Sequence, residues 1–337
     1  MASDTPLLLI VWRRPHHLRA VIDAIRPVAP TRLFVACDGA NPERPGEAED
    51  VAATRALIES EIDWPCRIER LYSPENQGCR LGVSRGISWF FEQVEEGIIL
   101  EDDCVPHPDF FRYCTTLLER YRHDTRVWSI CGSNFQRGHR RGSASYYFSI
   151  HGDSWGWASW RRAWQHYPNA ARQWIEFRDS GKLADVFPIP QERRYWREVL
   201  DRLFLEGKPN TWDYQWWLAS WMNHGLHAWP NVRLVSNKGF DGEGTHTFGD
   251  YDYAASELQE LGPLHHPAFV VPSREADEFA FLHRRGGLSL VERDRYGVLY
   301  PWIQRGRCAR SEGLLRYIGS RLLRLLRGRA STVGLGL

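Results

Sequence analysis

The chain has 337 residues, and its 43 lysines and arginines almost balance its 42 aspartates and glutamates. A nucleic-acid-binding protein is usually more basic than this, so we expect no nucleic-acid partner. The hydrophobic fraction of 43% is typical of a soluble globular protein, and the length is sufficient for one large domain or two modest ones.

The N-terminal apolar run at residues 6–12 has no basic residue before it, so it lacks the layout of a secretory signal peptide. No apolar stretch approaches the roughly 18 residues that a membrane-spanning helix needs. The seven cysteines are scattered without a CxxC pair, so we expect reduced, mostly buried thiols and no cysteine-bound metal. Together these features predict a cytoplasmic protein.

Strand-like and helix-like patterns alternate in the first part of the chain. The predicted strands are residues 6–12, 32–37, 66–72 and 97–100, and the predicted helices are residues 16–26, 47–60, 82–96 and a segment that begins at Pro108. Such alternation predicts a mainly parallel sheet covered by helices on both faces. In sheets of this kind, ligands bind beyond the carboxyl ends of the strands.

Charged residues follow three of the predicted strands. Arg14 follows the first strand, Asp38 the second, and the acidic triplet at residues 101–103 the fourth, so we expect them to converge at one edge of the sheet. Three adjacent carboxylates allow three interpretations: a solvated loop, an N-cap of the next helix, or a site for a divalent ion and a phosphate. The position at the tip of a central strand favours the third interpretation, since carboxylate oxygens suit Mg²⁺ or Mn²⁺.

Two common phosphate-binding motifs are missing from the sequence. No GxxxxGK[ST] motif is present and no GxGxxG motif follows the first strand, which disfavours P-loop NTPases and dinucleotide-dependent dehydrogenases. The nearest competing class is a sugar-phosphate nucleotidyltransferase. Those enzymes use a glycine-rich loop after the first strand, where this chain has WRRPHH.

The second half of the chain differs in composition. Residues 137–145 have the character of an exposed loop, residues 191–205 form a predicted helix, and residues 154–164 and 210–221 are rich in tryptophan. Because no linker separates the halves, we expect the second half to pack against the sheet. Most of the tryptophans are expected in the core.

Seven motifs in residues 5–248 together resemble one enzyme family. They are LLLIVWRRP, RLFVACDGA, PENQGCRLGVSRGISWFF, GIILEDDCVPHPDFFRY, WGWASWRRAW, WDYQWW and RLVSNKGFDGEGTHT. In this order they resemble a GT-A glycosyltransferase, specifically a bacterial-type relative of the N-acetylglucosaminyltransferase I family.

The resemblance implies a GT-A fold, with a nucleotide-sugar-binding half at residues 1–135, an acceptor-side half at residues 136–270 and a C-terminal extension at residues 271–337. It also implies a metal-dependent, inverting transfer from a nucleoside-diphosphate sugar to a saccharide or lipid-linked acceptor. Mn²⁺ or Mg²⁺ would be the cofactor and a UDP-sugar the favoured donor, with GDP and dTDP left open. The alternatives are a sugar-phosphate nucleotidyltransferase and a non-catalytic carbohydrate-binding protein.

The resemblance also assigns roles to the charged residues at the strand ends. Arg14 resembles a basic residue near the nucleotide, and Asp38 resembles a carboxylate that contacts the uracil or ribose, although a turn residue before a glycine is the alternative. Asp103 resembles the direct metal ligand. Asp102 would face the ribose and Glu101 the sugar.

The remaining assignments fall in the second half of the chain. Asp213 in WDYQWW resembles the catalytic base, with a helix N-cap as the alternative and Asp153 or Glu243 as the next candidates. Gly156 resembles a small residue near the donor sugar. Ser236 resembles a residue on a loop over the diphosphate, and His246 matches a histidine near that loop. Trp155 and Trp212 are the tryptophans that we expect at the acceptor site.

The C-terminal segment at residues 314–329 combines a leucine-rich face with an arginine-rich face. A basic amphipathic helix of this kind can lie on a membrane surface, which would suit peripheral binding to the inner face of a membrane and a lipid-linked acceptor. It can equally cover a groove of the same protein or of a dimer partner.

Overall fold

The computed structural model describes residues 3–240 and 257–301. These fall in two compact units, one ending at Ala280 and the other beginning at Phe281. His246, Glu243 and the basic segment at residues 314–329 lie outside the described residues, and the division at residues 135 and 270 stays a prediction. In the part that is described, no helix has the length and apolar character needed to cross a membrane.

Ten strands occur in the described residues. They are β1 (Leu7–Val11), β2 (Arg32–Cys37), β3 (Arg67–Tyr72), β4 (Glu96–Glu101), β5 (Cys104–Pro106), β6 (Val127–Cys131), β7 (Tyr146–Ser149), β8 (Trp157–Trp160), β9 (Leu226–Pro230) and β10 (Val235–Asn237). The four strands predicted from the sequence correspond to β1–β4. The fourth is longer than predicted, because Glu101 still belongs to β4 and pairs in register with Ile10 of β1.

Eleven α-helices occur in the same residues. They are α1 (Pro15–Ile25), α2 (Glu47–Glu61), α3 (Gly78–Gln93), α4 (Pro108–Tyr121), α5 (Arg161–Trp164), α6 (Tyr167–Asp179), α7 (Leu183–Val186), α8 (Pro190–Leu205), α9 (Asp213–Met222), α10 (Arg274–Arg284) and α11 (Gly287–Tyr296), followed by a 3₁₀ turn at Gly297–Leu299. The predicted start of α4 at Pro108 is confirmed. α3 begins four residues earlier than predicted.

Eight strands form one sheet in the order β3-β2-β1-β4-β8-β6-β9-β7. The neighbours from β3 to β4 are all parallel, and β8 is antiparallel to both β4 and β6. β6 and β9 are parallel again, while β7 is antiparallel to β9. A second, two-stranded sheet pairs β5 with β10. The predicted fold class, an α/β fold with a mainly parallel central sheet, is confirmed.

The sheet has a hydrophobic core on each face, because successive side chains of a strand point to opposite sides. Leu7, Leu9 and Val11 of β1 belong to one core together with residues of α1, α2 and α4. Leu8 and Ile10 belong to the other, with residues of α3 and most of the buried tryptophans of the second half. The second half therefore contributes both strands and a helical layer to a single sheet.

Candidate functional site

The carboxyl ends of β1, β2 and β4 lie at one edge of the sheet. Arg14 comes shortly after β1, Asp38 directly after β2, and Glu101 is the last residue of β4. A cavity of about 350 Å³ opens at this edge, and these three side chains and Asp102 line it. The structure therefore brings together the charged residues that the sequence places at separate strand ends.

The acidic triplet is neither solvated nor a helix cap. Only 3% of Asp102 and 6% of Asp103 is exposed. The N-cap of α4 is His107, whose ring accepts a hydrogen bond from the Asp109 N–H at 3.1 Å. The structure thus argues against the first two interpretations, and the site for a divalent ion and a phosphate stays a prediction.

Arg14 supplies a positive charge to two of these acids. Its Nη2 pairs with Asp102 Oδ1 and lies 2.9 Å from Asp103 Oδ2. The other oxygen of Asp102 accepts a hydrogen bond from the Trp12 N–H at 3.1 Å. Burial raises the pKa of Asp102, and the charge of Arg14 opposes that rise. The site thus holds its acids with one guanidinium and one backbone amide.

Burial and neighbouring carboxylates both act on the pKa of Glu101. Burial raises its pKa well above the ordinary range, and the charges of Asp103 and Asp102 raise the pKa further. Asp213 contributes in the same direction, so the two carboxyl groups are close enough for their charges to interact.

Asp38 is held by main-chain amides. Its carboxylate accepts hydrogen bonds from the N–H groups of Gly39 at 2.9 Å, Gln77 at 2.9 Å and Gly78 at 3.0 Å. The carboxylate therefore joins the end of β2 to the start of α3. Asp38 thus orders a turn. It also lines the cavity, and its contact with the uracil or ribose stays a prediction.

Asp213 begins α9, but it is not the N-cap. Trp212 occupies the N-cap position, and the Asp213 carboxylate accepts a hydrogen bond from Thr211 Oγ1 at 2.5 Å. Its charge raises the pKa values of both Glu101 and Cys79, two residues that line the cavity. The structure therefore places Asp213 near the cavity and removes the capping alternative.

Asp103 is enclosed by a distant segment of the chain. The Lys238 N–H donates to the Asp103 carbonyl at 2.8 Å, and Asn237 Nδ2 lies 3.4 Å from Asp103 Oδ1. A Cβ at Gly239 would overlap Asp103 Oδ2 and lie 3.1 Å from Arg14 Nη1. Only a glycine allows the backbone to approach the ion pair this closely.

For Gly156 and Ser236 the structure shows the local backbone, and their roles near the donor sugar and the diphosphate stay predictions. Gly156 has a φ of +65°, and a Cβ there would lie 2.7 Å from Val235 Cγ2, so backbone conformation and packing account for the glycine. It is not among the residues that line the cavity. Ser236 is buried in β10, in register with Val105, so the structure has a strand where the resemblance implies a loop.

The two tryptophans expected at an acceptor site differ from each other. Trp212 is buried against the rings of Trp157 and Trp164, so the expectation that it reaches an acceptor is wrong. Trp155 is half-buried and packs against the Phe240 ring with centroids 5.3 Å apart. For Trp155 the acceptor role stays a prediction.

Several residues that line the cavity were not predicted from the sequence. They are Trp12, Asn41, Arg44, Ser73, Asn76, Cys79, Arg85 and Asn210. Trp12 directly follows β1, which is a signal that could have identified it, and its Nε1 donates to the Gly39 carbonyl at 3.0 Å. Arg44 lies in a proline-rich loop without a pattern, and its guanidinium is 5.9 Å from the Trp12 ring centroid.

The metal ion that the resemblance implies stays a prediction. Among residues 3–240 and 257–301, no group of three or more histidine, cysteine, aspartate and glutamate side chains is arranged to hold a metal ion. Mg²⁺ is commonly bound by one or two carboxylates together with substrate phosphates. The carboxylates at the end of β4 fit such an ion, because the adjacent cavity has room for the phosphates.

No protein-family model matches the sequence, and no curated protein matches it. Similar solved structures include HddC from Yersinia pseudotuberculosis, with a TM-score of 0.31, and 4-diphosphocytidyl-2C-methyl-D-erythritol synthase from Anaerococcus prevotii, with 0.32. UDP-glucose pyrophosphorylase in complex with UDP-glucose has a TM-score of 0.28. Each of the three is 10% identical to this chain. The matches cover 49%, 52% and 48% of this chain, in the order named. They cover 80%, 85% and 78% of the matched chains in the same order. Likeness at this level concerns the fold and carries no argument about the reaction.

Proposed function

We propose that the chain is a metal-dependent enzyme that binds a nucleoside-diphosphate sugar in the cavity and transfers the sugar to a hydroxyl group. The observation that carries this proposal is the cavity at the carboxyl ends of β1, β2 and β4, which Arg14, Asp38, Glu101 and Asp102 line. This set of charged side chains suits a nucleoside diphosphate, and Asp213, which does not line the cavity, is proposed as the base from the WDYQWW motif. The finer assignment, to relatives of the N-acetylglucosaminyltransferase I family, rests on the sequence motifs.

Each charged residue has its own role in the proposed reaction. A divalent ion bound with the substrate would neutralise charge on the diphosphate, and Asp103 is the residue that would hold it. Arg14 binds the phosphates, while Glu101 and Asp102 orient the sugar and the ribose. Asp213 accepts the proton of the acceptor hydroxyl as its oxygen bonds to the anomeric carbon and the bond from that carbon to the diphosphate breaks. A single displacement of this kind inverts the anomeric centre.

A second candidate is a sugar-phosphate nucleotidyltransferase. The similar structures include a UDP-glucose pyrophosphorylase, which agrees with this candidate better than with glycosyl transfer, although the TM-score of 0.28 gives the likeness no weight for activity. Against it, WRRPHH follows β1 where a glycine-rich loop is expected. The two candidates share the nucleotide site and differ in the bond that is broken.

The first experiment is a thermal-shift screen with UDP-, GDP- and dTDP-sugars, each with and without Mn²⁺. We expect a UDP-sugar to raise the melting temperature only with Mn²⁺, because ligand binding stabilises the folded state. Asp103→Asn should lose at least about tenfold in Mn²⁺-dependent affinity, as expected for a lost ligand contact. Asp185→Asn is the control, since that carboxylate is exposed and pairs with Lys182 at the surface.

Product analysis then separates the candidates. Release of UDP from a UDP-sugar in the presence of a saccharide panel supports glycosyl transfer. Release of pyrophosphate from a nucleoside triphosphate and a sugar 1-phosphate supports the nucleotidyltransferase. If no nucleotide binds with Mn²⁺, both enzymatic proposals fail and a non-catalytic carbohydrate-binding protein is the remaining candidate.

A further inference from the structure

The Arg14–Asp103 ion pair occupies the carboxylate that the proposed function assigns to a metal ion. Arg14 Nη2 lies 2.9 Å from Asp103 Oδ2 and also pairs with Asp102. The other Asp103 oxygen lies 3.4 Å from both Asn237 Nδ2 and Cys104 Sγ. Both oxygens of the expected metal ligand therefore have protein partners.

The same pair is covered from the side of β10. The backbone at Gly239 approaches both groups so closely that a Cβ would overlap Asp103 Oδ2 and lie 3.1 Å from Arg14 Nη1. Only 15% of the Arg14 side chain is exposed. The guanidinium and the Gly239 backbone therefore occupy the space next to Asp103 Oδ2.

Arg14 and a divalent ion would compete for the same carboxylates, because both carry positive charge. Three carboxylates at residues 101–103 face one paired guanidinium, so the group carries an excess of negative charge when ionised. A divalent ion would balance this charge, but it would repel the guanidinium at the same carboxylate oxygen. A substrate diphosphate removes the conflict, because its oxygens can accept the N–H groups of Arg14 and also contact the ion.

We propose that Arg14 is an internal counter-ion that competes with divalent metal for Asp103 until a diphosphate arrives. This inference rests on the proposed nucleotide-sugar site. Without nucleotide, Arg14 neutralises the acids and free Mn²⁺ binds weakly. With nucleotide, Arg14 turns to the phosphates and Asp103 becomes available, so metal and nucleotide bind with positive coupling. The device keeps the site from holding metal without substrate.

The test measures Mn²⁺ binding to the full chain without nucleotide, by the loss of the free-ion EPR signal. Arg14→Gln should bind Mn²⁺ at least about tenfold more tightly than wild type, within the range of ordinary coupling energies. Adding UDP should tighten Mn²⁺ binding by a similar factor in wild type and by much less in Arg14→Gln. Arg13→Gln is the matched control, since Arg13 lies 3.8 Å from Glu47 and is not among the residues that pair with the triplet; it should behave as wild type.

Two further variants keep the test decisive. The double variant Arg14→Gln with Asp103→Asn should lose the gain in Mn²⁺ affinity, which assigns the ion to Asp103. Arg14→Lys is the conservative substitution, because it keeps a positive charge at this position. We expect its Mn²⁺ affinity to lie between those of wild type and Arg14→Gln. If the folded Arg14 variants bind Mn²⁺ no more tightly than wild type, the proposal is overturned.

Failure of the counter-ion proposal can be distinguished from failure of the proposed function. Tighter Mn²⁺ binding at Asp103 in Arg14→Gln, with no UDP-sugar binding by wild type, would support the counter-ion and contradict the nucleotide-sugar enzyme. Equal Mn²⁺ affinities together with normal UDP-sugar binding would do the reverse.

Discussion

Asp213 shows how a single side chain is prepared for a role by its neighbours. The Thr211 hydroxyl donates to its carboxylate at 2.5 Å, and the residue occupies the first turn of α9. This hydrogen bond limits the orientations of the carboxylate, and the charge of Asp213 raises the pKa of Glu101. Such orientation would suit the general base that we propose Asp213 to be.

Replacing Asp213 should separate turnover from binding. We expect Asp213→Asn to lower turnover of a UDP-sugar with a saccharide panel by about 100-fold or more, the usual contribution of a general base. Binding of UDP with Mn²⁺, measured by calorimetry, should stay unchanged because Asp103 and Arg14 are intact. Near-normal turnover would show that the base is another residue, with the buried Asp153 as the next candidate. Asp185→Asn serves as the exposed control.

At this scale the sequence predicted which residues carry charge at the site but not their partners. That Glu101, Asp102 and Asp103 end a buried strand was predictable from the apolar run before them. The amides that hold Asp38 were not, because they belong to a turn at residues 77–78 whose conformation has no sequence signature.

Arg141 is a second case in which a partner was hidden. The sequence placed it in an exposed loop, yet it is buried and pairs with Glu275, more than a hundred residues later. Its Nε also donates to Gln136 Oε1 at 2.8 Å. A local pattern cannot reveal a partner that only the folded chain brings near.

Among the elements, β8 is placed by Gly156, which immediately precedes it. The backbone carbonyl of Gly156 accepts the Gly132 N–H at 2.8 Å, and its φ of +65° turns the chain into the strand. Because β8 lies between β4 and β6, this turn precedes a strand of the second half that pairs with two strands of the first half.

The two glycines at positions 156 and 181 offer a matched comparison of strain and overlap. Both have positive φ, at +65° and +78°, but only Gly156 has close neighbours at the Cβ position. We expect Gly181→Ala to cost about 1 kcal/mol through the left-handed backbone alone. Gly156→Ala should cost about 1–3 kcal/mol more through overpacking against Val235. Urea denaturation measures both, and equal losses would contradict the packing argument.

Elements with a clear period were predictable, and the others were not. β1 and α4 have continuous or helical apolar patterns, and their predicted positions agree with the structure. β6, β7, β8 and β9 were not predicted, because their short runs lie among aromatic residues that also suit helices. The N-terminus of α3 was missed because its first turn contains glycines and polar residues.

For the whole molecule, a buried histidine links stability to pH. His227 lies between the hydroxyls of Ser129, at 2.7 Å from Nδ1, and Ser220, at 3.1 Å from Nε2. Burial lowers its pKa to about 3, and the charge of His151 contributes in the same direction. In the folded protein His227 therefore stays neutral at pH values at which the histidine of the unfolded chain is already protonated.

The resulting pH dependence has a definite sign. Between about pH 6.5 and pH 3 the unfolded state binds more protons at His227, so the free energy of unfolding should fall on acidification by about 1.4 kcal/mol per pH unit. In His227→Gln this contribution should vanish. Chemical denaturation of both proteins from pH 7.5 to 4.5 measures the difference, and parallel curves would contradict a neutral buried histidine.

Asp277 provides an internal check, because its effect has the opposite sign. Burial raises its pKa to about 6, against the charge of His151 and a hydrogen bond from Ser149, so the folded state binds the extra proton between about pH 4 and pH 6. Its contribution to stability falls as pH rises through that window. Asp277→Asn should therefore steepen the loss of stability on acidification, whereas His227→Gln should reduce it.

The pairing of β5 with β10 has a consequence for the growing chain. Asn237 contacts Asp103 from a position 134 residues further along the sequence, and β5 has no other strand partner in the described residues. A ribosome adds about 5–20 residues per second, so the acids leave it roughly ten seconds before the segment that encloses them. A nascent fragment ending near residue 135 would thus present its carboxylates and an unpaired strand edge together. Cutting the gene there should yield a chain prone to association, not a small nucleotide-binding module.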